Sequence, residues 1–315
     1  MKQRVHSPRV SILIPCYASQ SYVSDAIHAA LSQTYGHLEI IIAPDDGQTY
    51  TYLRDTFKTP QLRIIPPGPK RGTGAGATRN RAIDVSSGEY LTMLDSDDVI
   101  AENYIADLMR VAMIEGAALG PIRYRDWESG NVIRVPPVFS HLLSLSGFGQ
   151  LLASMHPLIH RSLEPGYVDG FAEDVIHDGH VIAKLGTIQV VKSAIYDARI
   201  RAGSTCNHGA DGESAIQGLY QQRIEAILRS PTTLGLQSLS RTDRDDFAQL
   251  FRFRAMASRA YACSGYASYD QWVAGREAAL WDQFMESGNA DGGDIPAHQG
   301  VAHVIRTSKT SAVDR

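Results

Sequence analysis

Short apolar runs alternate with amphipathic stretches through the first 115 residues. Residues 10–15 (Val-Ser-Ile-Leu-Ile-Pro) are β-rich, apolar and closed by proline, which predicts a buried strand. Residues 22–35 carry apolar side chains at 23, 26, 27, 30 and 31, a helical spacing, with Ser21 or Ser24 as the capping residue. Residues 38–43 and 62–65 repeat the strand pattern, each closed by a proline and glycine turn. Residues 75–87 predict a helix stopped by Gly88, residues 90–94 a fourth strand, and residues 102–115 a helix stopped by Gly116. Strands alternating with helices imply an α/β fold with a mostly parallel central sheet flanked by helices. Ligands of such sheets bind beyond the carboxyl ends of the strands.

From Ala117 the pattern loosens. Irregular strands surround Ile122, Tyr124 and Val132–135, a mostly apolar helix is expected over 142–155, and a strand over 157–160. A helix over 173–185 ends at Gly186 and precedes a strand over 188–192. Helices are expected over 213–229, 243–262 and 269–285. The tail from Ser287 is polar and reads as disordered.

Composition narrows the class. The 315 residues are 43% hydrophobic and 20% charged, which excludes a wholly disordered chain, a coiled coil and a collagen-like fibre. A net charge of −4 supplies no basic field for nucleic acid. No apolar run approaches the roughly 18 residues of a membrane span, and residues 10–15 are too few for a signal-peptide core. Cys16, Cys206 and Cys263 are odd in number and widely spaced, so neither a disulfide framework nor a zinc knuckle is expected. A cytoplasmic location follows as the expectation.

Four groups carry chemistry. Asp95-Ser96-Asp97-Asp98 closes the fourth strand, and carboxylates so crowded repel one another unless a cation joins them. Mn²⁺ or Mg²⁺ favours such oxygens and leaves positions for phosphate, although an acidic turn capping the next helix is the simpler reading. Residues 72–81 (Gly-Thr-Gly-Ala-Gly-Ala-Thr-Arg-Asn-Arg) read equally as a flexible loop or as a phosphate cradle at a helix start. Asp45-Asp46-Gly47 is a turn by composition, or a carboxylate that accepts from a nucleobase or ribose. Glu173-Asp174 opens a helix either as a dipole complement or as a general base.

In this order and at these separations, the motifs resemble an inverting glycosyltransferase of family 2 with the GT-A fold. The match rests on Val-Ser-Ile-Leu-Ile-Pro-Cys-Tyr (10–17), Leu-Ser-Gln-Thr-Tyr (31–35), Leu-Glu-Ile-Ile-Ile (38–42), Asp46-Gly47, Ala-Thr-Arg-Asn-Arg-Ala (77–82), Ser-Gly-Glu-Tyr-Leu (87–91) and Leu-Asp-Ser-Asp-Asp (94–98). It is strong over 9–115 and weaker over 156–205. The resemblance implies a GT-A domain over 1–210, with a nucleotide-binding half (9–115) and an acceptor half (116–210). A helical extension over 211–286 and a tail over 287–315 complete the chain.

The resemblance also implies roles. Pro15, Tyr17, Asp45, Asp46, Arg79, Asp95 and Ser96 would line the nucleotide, with Arg199, Arg201 and Ser204 in a loop closing over the diphosphate. Asp97 and Asp95 would hold Mn²⁺ or Mg²⁺. Asp174 would be the catalytic base with Glu173 beside it, and Asp169 and Asp178 are next in line. Relatives often carry histidine in the late loop where Arg201 stands here; His208 would be the substitute ligand, or else a solvated loop histidine with Arg201 completing the loop. The donor would be a UDP-sugar and the acceptor a hydroxyl on a saccharide or lipid-linked molecule. Rival readings are a sugar-phosphate nucleotidyltransferase, a catalytically weak sugar-nucleotide-binding protein and a retaining transferase.

Arg223, Arg229, Arg241, Arg244, Arg252, Arg254 and Arg259 form a solvated helical face or a patch for anionic lipid at the inner membrane face. Tyr261, Tyr266, Tyr269, Trp272 and Trp281 are expected in core packing or a homodimer contact through the C-terminal helices.

Overall fold

A computed structural model describes residues 7–138, 140–201 and 213–288. The tail beyond 288, Ser204, Cys206 and His208 lie outside the described residues. The chain forms two compact units that do not follow sequence order. The first runs through Arg125 and adds Ser140–Leu143 and Ser154–Arg199; the second takes 126–138, Ser144–Ala153 and the described residues from Ile200 onward. The sequence division at 210 differs from this partition, because two excursions within 116–210 pack with the C-terminal helices.

The first unit is built on an eight-stranded sheet. β1 (Val10–Cys16) lies between β2 (Leu38–Pro44) and β4 (Tyr90–Met93), and β3 (Leu62–Ile64) flanks β2; these four are parallel. Every residue of β2 is buried, as a parallel strand covered on both faces requires. α1 (Val23–Leu31), α2 (Tyr52–Phe57) and α3 (Ala75–Val85) make the crossovers. The six-residue α2 has no counterpart in the sequence reading.

Past β4 the sheet becomes mixed. β10 (Leu158–His160) pairs antiparallel with β4 and with β6 (Ala117–Leu119), which follows α4 (Tyr104–Glu115). β11 (Ile188–Val190), reached through α6 (Glu173–Leu185), adds parallel to β6, and β9 (Leu142–Leu143) closes the edge. A smaller sheet pairs β5 (Val99–Ile100) antiparallel with β12 (Tyr196–Ile200), and β7 (Ile122–Asp126) lies beside β12.

Several sequence expectations are corrected. α1 has Tyr22 at its N-cap and no side-chain cap, so neither Ser21 nor Ser24 caps it. α3 ends at Val85, before the expected stop at Gly88. Gly88 serves a close approach instead: a Cβ there would lie 2.5 Å from Ser11 Oγ and 2.6 Å from its amide nitrogen. Glu39, opposite Ser11 in the β1–β2 register, secures this end of the sheet. Its Oε1 accepts from Ser11 Oγ (2.6 Å), Ser87 N (2.6 Å) and Gly88 N (3.0 Å).

The second unit contains β8 (Val132–Arg134), α5 (Leu145–Gln150), α7 (Glu213–Arg229), α8 (Arg241–Ala262), α9 (Tyr269–Val273) and α10 (Glu277–Glu286). The helix expected over 142–155 is the short β9 followed by α5, because the Ser144 hydroxyl accepts from Gly147 N and starts the helix there. The helix expected over 269–285 is two, broken where the backbone turns left-handed at Gly275 (φ +72). Leu152, Phe253, Tyr261, Trp272, Leu280 and Phe284 form the core, with Tyr269 and Trp281 packed against it. Buried Arg134 joins Asp270 (3.0 Å) and Glu277 (3.2 Å). Several of the late arginines find protein partners: Arg229 pairs with Glu225, Arg254 donates to the Ala153 carbonyl and Arg259 to Gln217. No helix among the described residues is long and apolar enough to cross a membrane.

Candidate functional site

The site grows from the turn that leaves β4. The Tyr196 hydroxyl, from β12, accepts from Asp95 N (3.0 Å) and donates to Asp98 Oδ2 (2.9 Å). Arg199 N donates to Asp98 Oδ1 (2.8 Å), its Nε to the Asp97 carbonyl (2.5 Å), and its Nη1 to Asp25 (2.7 Å). Arg199 therefore stands in a strand that shapes the acid turn, where sequence reasoning placed it in a loop. The reason is the β5–β12 pairing, which sets Tyr196 opposite Ile100 directly after the turn. Ser96 is buried with its Oγ 2.7 Å from Ser19 Oγ.

One buried cation organises the acids. Arg79, 4% exposed on α3, donates from Nη2 to Asp95 Oδ1 (2.9 Å) and from Nη1 to Glu173 Oε1 (2.6 Å). Its guanidinium carbon is 5.2 Å from the centre of the Tyr167 ring. Burial opposes the charge, yet Asp95, Tyr167 and Glu173 hold the guanidinium firmly protonated. α3 approaches this closely because Gly76 has no Cβ; one there would run into the Val168 carbonyl. Despite burial, Arg79 and His156 keep the Asp95 carboxyl below the usual range.

The remaining Asp95 oxygen, Oδ2, is 3.6 Å from His156 Nε2. Asp95, Asp98 and His156 each offer a ligand atom, all within 4.8 Å of one another. Burial and the charges of Asp95 and Asp97 push the Asp98 carboxyl far above the carboxylate range. Carboxylates that cannot all ionise, with an imidazole beside them, fit a divalent cation such as Mn²⁺. Asp97 is half-buried and stands outside that group of three. Sequence reasoning missed His156 and Tyr196, since a lone histidine before a strand and a strand tyrosine carry no local signal.

Glu173 and Asp174 form the first turn of α6, which opens from Ala172 in the left-handed region (φ 55). Burial and Asp174 raise the Glu173 carboxyl, with Arg79 countering. Asp174 is half-buried and accepts from Val175 N (2.8 Å). Asp178 is buried behind them, bonded to His177 and Met155 N, so it stands out of reach of a substrate.

At the ends of β1 and β2 the acids are structural anchors. Asp46 accepts from Ala18 N, Gln20 Nε2, Gln48 N and the Tyr50 hydroxyl. These donors outweigh burial and lower its pKa. Asp45 accepts from Thr73 Oγ1 (2.6 Å) and Gly74 N (3.0 Å), while its carbonyl takes Gly72 N. The glycine loop thus gives these two amides to Asp45. Pro15 is half-buried, and Tyr17 is 52% exposed with Arg71 5.9 Å from its ring centre. Arg201 is half-buried at the end of its described stretch.

Residues 11–160 match the family model described as Glycosyl transferase family 2. A glycosyltransferase, GlyG, of Streptococcus pneumoniae serotype 4 is 35% identical over 129 residues, which are 40% of this chain and 42% of that protein. The Escherichia coli enzyme WfgD, a UDP-Glc:alpha-D-GlcNAc-diphosphoundecaprenol beta-1,3-glucosyltransferase, is 29% identical over 106 residues, 33% of this chain and 40% of its own. The chain spans about two fifths of the length of these two curated relatives. Among solved structures, S. aureus TarS 1–349 with UDP-GlcNAc superposes with a TM-score of 0.59 at 14% identity, covering 96% of this chain and 92% of that one. Mannosyltransferase PcManGT of Pyrobaculum calidifontis, with GDP-Man and Mn²⁺, gives 0.55 at 16% identity over 99% and 82%.

Proposed function

We propose, on the premise that the chain belongs to glycosyl transferase family 2 through residues 11–160 and adopts the GT-A fold, that it moves a sugar with inversion from a nucleoside diphosphate to a hydroxyl acceptor. The observation that carries this reading is Arg79 holding Asp95 and Glu173 together beside Asp174, beyond the end of β4. Open α/β sheets bind their ligands at that edge. One neighbour, TarS, solved both with UDP-GlcNAc and with UDP, supports a UDP-sugar donor.

The chemistry is a single displacement. Asp174 removes the acceptor proton as the acceptor oxygen attacks the anomeric carbon, and the nucleoside diphosphate departs with the bonding electrons. Asp174 is favoured over Glu173 because Arg79 already occupies the Glu173 carboxylate. Asp95, with Asp98 and His156 in reach and Asp97 on the same turn, would hold Mn²⁺ or Mg²⁺, whose charge would offset the leaving diphosphate. Tyr17 and Pro15 would border the base, over a floor fixed by Asp45 and Asp46.

A thermal-shift panel of UDP-GlcNAc, UDP-glucose and GDP-mannose, each with and without Mn²⁺, tests the donor class. A donor at tenfold its Kd adds about 1.4 kcal/mol, and the shift needs Mn²⁺. No shift with any of the three overturns the reading.

A further inference from the structure

We infer that His177 is the positioning residue for the Glu173–Asp174 turn, a buried imidazole clamp that fixes the rotation of α6 so that Asp174 faces the acid turn. The inference rests on the glycosyl-transfer reading above. The first turn of α6 has no side-chain cap and follows a left-handed alanine, so the local restraint on its carboxylates is the single bond from Val175 N to Asp174. His177 lies one turn further on, 3% exposed. Its Nε2 is 3.0 and 3.2 Å from the two oxygens of Glu164, and its Nδ1 is 3.1 Å from Asp178 Oδ1. Its ring lies parallel to Tyr167 at 4.1 Å.

Each partner is anchored in turn. Glu164 accepts from Gly166 N, and Asp178 Oδ2 accepts from Met155 N beside His156. The Tyr167 backbone exchanges two 2.8 Å hydrogen bonds with the Asn80 side chain, next to Arg79 on α3. Arg79 then returns to Glu173. The path from α3 through Tyr167, His177 and α6 back to α3 is closed. Any rotation of α6 that swings Asp174 away must break an ion pair inside the protein.

Both ring nitrogens face carboxylates, and Glu164 and Asp178 raise the imidazole to about 9 although burial opposes it. The other titratable groups around it are Tyr167 stacked on the ring, His180 on the same helix with Lys184 acting on it, His156 and Asp174 acting on Asp178, and Arg161 acting on Glu164.

The test uses the full chain, wild type and with His177→Gln or His177→Phe. Nucleoside diphosphate release is measured from UDP-GlcNAc, UDP-glucose and GDP-mannose with Mn²⁺, alongside donor Kd by calorimetry. His177→Phe keeps the ring and loses both donors; kcat falls at least tenfold while donor Kd stays within twofold. His177→Gln keeps one amide donor and recovers part of kcat. It also lacks the fall in kcat near pH 9 that the wild type shows. Wild-type kcat in both variants, or equal loss of kcat and affinity, overturns the assignment. If His177→Phe does not fold, the Gln variant decides alone. A wild-type protein that releases no nucleoside diphosphate overturns the glycosyl-transfer reading and this inference together. Turnover by the wild type and equally by both variants overturns the inference alone.

Discussion

Arg79 and Glu173 stand 94 positions apart in sequence and meet at 2.6 Å. The pair joins α3 to α6, and through Asp95 it joins both helices to the end of β4. The helix that carries the proposed base and the turn that carries the proposed metal ligands are therefore tied to one guanidinium.

Removing that guanidinium, which is itself buried, leaves two partly buried carboxylates without their shared partner. Arg79→Ala should cost about 3–5 kcal/mol of unfolding free energy, the usual penalty for orphaning buried charge. Urea denaturation reads it directly. Adding Glu173→Gln to the same chain should restore part of the loss, since one uncompensated charge disappears. A loss under about 1 kcal/mol for Arg79→Ala alone contradicts the pairing.

The two acids of the first α6 turn should separate kinetically. Asp174→Asn removes the proposed base, and kcat should drop about 10²–10⁴-fold with donor Kd nearly unchanged. Glu173→Gln loses its ion pair with Arg79, so it should lower thermal stability as well as kcat. Calorimetry and melting curves distinguish the two. An active Asp174→Asn enzyme places the base elsewhere.

His177 links stability to pH. Its ring titrates near 6.5 in an unfolded chain and at about 9 in the folded protein. A raised folded value means that the stabilisation is complete below about pH 6.5 and is lost as pH rises through about 9. The difference amounts to about 3 kcal/mol, on the order of 1.4 kcal/mol per unit. Urea unfolding of the wild type should weaken over that window, and His177→Gln should flatten the curve. A wild-type profile that is level from pH 6.5 to 9.5 contradicts a charged imidazole.

Gly88→Ala places a methyl group against the Ser11 amide nitrogen as well as its hydroxyl, and backbone cannot yield as a flexible side chain would. The cost should be about 1–3 kcal/mol, with β1, β4 and donor affinity otherwise intact. A variant as stable as the parent shows that the strands can separate there.

The parallel half of the sheet was legible because buried strands write themselves as apolar runs. The acid turn was legible because it follows one of them. What escaped were contacts set by tertiary pairing. β12 is a short strand whose partner β5 has two residues, and neither stands out by periodicity. Without that pairing Arg199 reads as part of a loop, and Tyr196 has no visible tie to Asp95 and Asp98. His156 and His177 are single histidines whose partners lie on other elements, so no spacing announces them. Asp45 and Asp46 carry the motif, but the Asp45 bond to Gly74 N appears only once the glycine loop folds back to it, and the Asp46 bond to Ala18 N only once β1 pairs with β2.

The stereochemistry of donor cleavage tests inversion by Asp174 most directly. The protein is mixed with an α-linked UDP-sugar and Mn²⁺, water serves as acceptor, and the first sugar released is observed by proton NMR before it mutarotates. The account predicts the β anomer together with UDP, and neither product from Asp174→Asn. The α anomer, or equal release by the variant, contradicts it.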